Sequence, residues 1–102
     1  MLEKIKLAMR ISTTVYDAEV LDLCAAAIAD LKLCGPVFDA APVTEEDKIV
    51  DYSVSDPLVV RAIITYCRMN FGSPSDFDKL KESYESQKGQ MRESSAYGMT
   101  EA

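Results

Sequence analysis

The sequence predicts an all-α fold: a small bundle of four helices, a long loop between helices 2 and 3, and a flexible C-terminal tail. Two observations carry that expectation. Apolar residues recur at helical spacing in four segments, and Gly35-Pro36, Asp56-Pro57 and Gly72-Ser73-Pro74 punctuate the chain between them. One domain, residues 1–94, is the natural count at 102 residues.

The first helix is expected over residues 2–11, with Leu2, Ile5, Ala8 and Met9 on one face. A helix this short needs a partner to be stable. Asp17 offers an N-terminal carboxylate for a second helix reaching about Cys34, with Val20, Leu23, Cys24, Ala27, Ile28 and Leu31 as its apolar stripe. Gly35-Pro36 stops it. Residues 35–55 then lose all periodicity and read as a loop, in which Ile49, Val50, Tyr52 and Val54 could form a short extended piece.

Ser55-Asp56-Pro57 is the clearest start signal, because Asp56 can cap free N–H groups and Pro57 sits where a missing N–H costs nothing. The third helix follows to about Phe71. Its apolar residues cover most of its circumference and leave Arg61, Thr65 and Arg68 as a narrow polar stripe, so it is expected at the buried centre. The fourth runs from about Pro74 to Glu93, with Ser73 as its expected N-cap and a thin apolar edge of Phe77, Leu80, Tyr84 and Met91. Residues 95–102 have turn-forming composition and no period, the pattern of a mobile tail.

Composition restricts the chemistry. There is no His and no Trp, and the formal net charge is -6. Acid/base catalysis would lack the side chain best suited to neutral pH, so the chain is read as a protein-binding module and not an enzyme. No catalytic residue is assigned. Cys24, Cys34 and Cys67 have neither paired spacing nor His partners, so they read as free thiols in apolar surroundings and a reducing compartment; no metal and no cofactor are expected. The first residues interleave charge with apolar side chains, unlike a signal peptide, and no run is long enough to span a membrane. Arg61 and Arg68 lie seven apart on one helix face; pairing with the abundant acids, within the subunit or across an interface, is favoured over phosphate contact.

Phe38 and Val43 in the loop, beside Glu45, Glu46 and Asp47, and Tyr97 and Met99 in the tail, have no place in a four-helix core. They either fold back on their own domain or anchor the chain to another protein.

Three stretches, YDAEVLDLC at 16–24 with LKLCG at 31–35, SDPLVVRAIITYCRMNFG at 55–72, and FDKLKESYE at 77–85, resemble the second, central and last helices of the phage gp6-like head-tail connector (head completion or adaptor) proteins. The likeness spans residues 2–91, and the segment from Phe38 to Asp51 is longer than in the shorter members. The resemblance implies a virion or prophage assembly protein, located at the head-tail junction and in the host cytoplasm during assembly. Its expected partners are itself, in a ring of about twelve subunits, the portal protein and a tail-side completion protein. DNA would pass through the channel without specific binding, helped by an acidic wall. The alternative is a small cytoplasmic helical regulator that binds a protein or DNA partner, which a basic groove would favour.

Overall fold

The computed structural model describes residues 1–33, 38–72 and 74–93. In chain order the elements are α1 (Leu2–Met9), α2 (Asp17–Leu33), β1 (Ala40–Glu45), β2 (Lys48–Val54), α3 (Pro57–Asn70) and α4 (Phe77–Glu93).

The third helix organises the molecule. Asp56 Oδ1 accepts the N–H groups of Leu58 at 2.9 Å and Val59 at 3.4 Å, and Pro57 occupies the first turn. Val59, Ala62, Ile63 and Cys67 are fully buried, because α3 is packed on α1, α2 and α4. From α2 come Val20, Cys24, Ala27, Ile28 and Leu31, the stripe that the helical spacing predicts, with Leu23 at its margin. Ile5 of α1 fills the same cluster, and Lys6 Nζ meets Asp17 Oδ1 at 2.8 Å, joining α1 to the start of α2.

The fourth helix contributes Leu80, Tyr84 and Met91, and Phe77 is left 41% exposed. Between Tyr84 and Met91 the buried position is Lys88, at 8% exposure. Asp30 of α2 makes that burial tolerable: its Oδ2 accepts Tyr84 Oη at 2.6 Å and Lys88 Nζ at 3.3 Å, and Lys88 also meets Glu85 at 3.2 Å. The lysine head lies over the Tyr84 ring, 4.7 Å from its centroid.

The all-α expectation is wrong. Residues 40–54 of the supposed long loop form an antiparallel two-stranded sheet, which makes the domain mixed α and β. The register runs from Ala40 opposite Val54 to Glu45 opposite Lys48, and a bulge at Val50 shifts it between Val43 and Thr44. Two physical facts hide this hairpin in the sequence. Alternation is legible only where one face is buried, and here all of β1 beyond Ala40 stands in water, while Val50, Asp51 and Tyr52 of β2 are half-buried in succession. The turn residues are Glu46 (φ 52) and Asp47 (φ 65), not the Gly or Asn that such a left-handed turn favours. Pro42 fits because Tyr52 opposite it directs both main-chain groups away from β1, its N–H to Asp51 Oδ1 and its carbonyl to the Met1 amine.

Burial pushes the Cys24 thiol up to about 11 and the Cys67 thiol up to about 12, and both are free thiols inside the core. Cys34, the Ser73 cap and the tail expected over residues 95–102 lie outside the described residues.

Candidate functional site

The hairpin is the most distinctive surface feature, and its root is firmly held. Ala40, Tyr52 and Val54 are packed against the helical core together with Phe38, over whose ring Lys32 Nζ sits 5.7 Å from the centroid. Asp51 Oδ1 accepts Leu2 N at 2.9 Å and Tyr52 N at 2.7 Å, and it lies 3.1 Å from the Met1 amine. Burial works to raise the Asp51 pKa, but these donors outweigh it and hold the carboxyl below its usual 3.8. Met1 offers α1 no side-chain cap, so Asp51 supplies one from β2.

Beyond the root the hairpin has little support. Residues 41–49 are all exposed, among them Val43 (41%) and Ile49 (47%), and the three acids Glu45, Glu46 and Asp47 gather at the tip. The arrangement is an arm: a rigid base, two apolar side chains along its length, and a negatively charged end.

The structure separates the remaining residues singled out in the sequence. Phe38 belongs to the root of the arm and packs on its own core. Arg61 lines an open groove of about 560 Å³ between α3 and α4, with Leu58, Lys79, Glu82, Gln90 and Met91. Arg68, on the same face of α3 but two turns further along, lies beside the start of α4, where its Nη2 is 4.0 Å from Asp76 Oδ2. Tyr97 and Met99 lie outside the described residues.

Sequence reasoning missed Asp51, Asp30 and Lys88, which become informative only once their partners on other elements are known. It also passed over Leu7 (81%), Val15 and Leu33 (86%), which sit on exposed positions. Among the described residues no group of three or more Cys, Asp or Glu is placed to hold a metal ion, and no helix is long and apolar enough to cross a membrane. The acids at the arm's tip stand in water, where they suit charge recognition better than proton transfer.

Comparison with known proteins gives one positive result: residues 1–98 match the model of a family described as "Phage connector protein". No curated protein and no solved structure matches the chain.

Proposed function

The chain belongs to the phage connector protein family, a structural kind of protein, and on that premise we propose that it is an adaptor subunit forming a closed ring between the portal of the DNA-filled head and the tail. The observation that supports this reading is the exposed arm on a helical body. A ring subunit needs a stable core together with one surface that reaches its neighbour. Val43, Glu45, Glu46 and Asp47 are the arm's contact residues in this reading, and the net charge of -6 suits a channel that DNA crosses without sticking. Tyr97 and Met99 are assigned to a portal or tail-side partner as apolar residues that the helical stripes leave unplaced.

Truncation tests the division of labour. Removing residues 95–102 is expected to leave the melting temperature nearly unchanged and to abolish attachment to portal-bearing heads. Replacing residues 43–49 by a short Gly/Ser linker, which leaves Asp51 and Tyr52 at the root in place, is expected to weaken ring formation itself. If tailless subunits still join heads and yield infectious particles, the assignment of the tail is wrong.

A further inference from the structure

We propose that the acidic tip of the hairpin docks into a cleft at the far end of a second copy of this chain, where Arg10 and Arg68 receive it. The inference rests on the ring reading and names the two surfaces that meet.

The cleft, of about 310 Å³, lies where α1 and α3 end and α4 begins, and is lined by Ala8, Met9, Arg10, Arg68, Phe71 and Leu80, with Pro74 and Asp76 at the start of α4. In a chain of net charge -6, two arginines beside an apolar floor reverse the local sign. Neither is firmly engaged. Arg68 and Asp76 are 4.0 Å apart with both side chains about half exposed, a geometry that binds weakly. Arg10 forms no ion pair among the described residues.

Position makes the two surfaces a head and a tail. α1 begins against Asp51 of the hairpin and ends at the cleft. α3 begins three residues beyond Val54 of β2, at Pro57, and reaches the cleft after 14 residues, about 20 Å along its axis. Arm root and cleft therefore stand at opposite ends of the same two helices. A contact joining them repeats from one copy to the next, which is the geometry a ring requires.

The chemistry of the tip matches the cleft. Glu45, Glu46 and Asp47, with Lys48 opposite Glu45, leave the tip net negative, and Arg10 and Arg68, with Asp76 beside them, leave the cleft net positive. Val43 stands behind the acids on one face of the hairpin as an apolar counterpart to Met9, Phe71 and Leu80, and Ile49, paired with Thr44, lies on the other. The turn itself holds two acidic side chains in the left-handed region, at φ 52 and 65, where Asn-Gly would fit with less strain.

Charge exchange tests the pairing in the full-length protein, with assembly followed by sedimentation velocity alone and in the presence of the portal. The double variants Glu46→Lys with Asp47→Lys, and Arg10→Glu with Arg68→Glu, are each expected to raise the assembly midpoint concentration at least about tenfold. Combining all four substitutions is expected to restore it to within about threefold, and Arg61→Glu with Lys79→Glu in the other groove to leave it unchanged. Should a reversed variant lower the monomer's melting temperature, Arg10→Gln with Arg68→Gln carries the same test with a smaller expected shift. Double variants that assemble like the unaltered chain, a combination no better than either pair, or an equal loss in the groove control would overturn the inference and leave the ring reading standing. An unaltered chain that stays monomeric both alone and on the portal would overturn the ring reading, and the inference with it.

Discussion

The carboxylate of Asp51 accepts the N–H of Leu2 at 2.9 Å across 49 positions of sequence, so the strand that carries the arm also caps the first helix. Arm root and helical body are therefore energetically linked. Asp51→Ala is expected to cost about 0.5–2 kcal/mol at pH 7, the range for losing a helix cap. The folded-state pKa is depressed, so this stabilisation is present above the unfolded value of about 4 and is lost as pH falls through the folded value. Denaturant melts of both proteins are expected to show the deficit at pH 7 and a smaller one at about pH 3. A deficit independent of pH would mean that the charge of Asp51 does not hold the root.

Ile63, fully buried on α3, and Lys79, exposed on α4, separate core from surface. Ile63→Ala is expected to cost roughly 2–5 kcal/mol through lost burial and a residual cavity. Lys79→Ala is expected to cost about 0.5 kcal/mol or less. Equal losses in denaturant melts would contradict the placement of α3 at the centre.

Relief of the turn should divide stability from assembly. Replacing Glu46→Asn and Asp47→Gly gives the hairpin the residues its left-handed turn favours, and is expected to raise stability by about 1–2 kcal/mol. The same change removes two of the three tip charges and is expected to weaken self-association. Thermal melts and sedimentation on one preparation read both effects; a variant that is more stable and associates equally well would deny the tip its role.

The helical body was legible because its signals are local. Asp56-Pro57 announces α3, and the stripe from Val20 to Leu31 repeats at helical spacing, so both elements follow from neighbours in sequence. Of the hairpin only β2 was legible, as the short extended piece from Ile49 to Val54; its partner and turn were not, because Glu46-Asp47 is an unfavoured sequence for the turn and exposed β1 carries no inside-outside alternation. Lys88 reads as a surface charge until Asp30 and Tyr84 are brought beside it from 58 and 4 positions away. Of the proposed contact residues, Val43 and the three acids could be picked out as unplaced side chains. Arg10 could not, since only the meeting of α1, α3 and α4 gives it a cleft to line.

The central claim is that this chain closes into a ring on the portal, and electron microscopy of the purified protein mixed with its cognate portal tests it most directly. The account predicts a ring of added density coaxial with the portal, with an arm crossing each subunit boundary and an open channel on the axis. A portal without added density, or single copies attached at scattered sites without contact between neighbours, would contradict it.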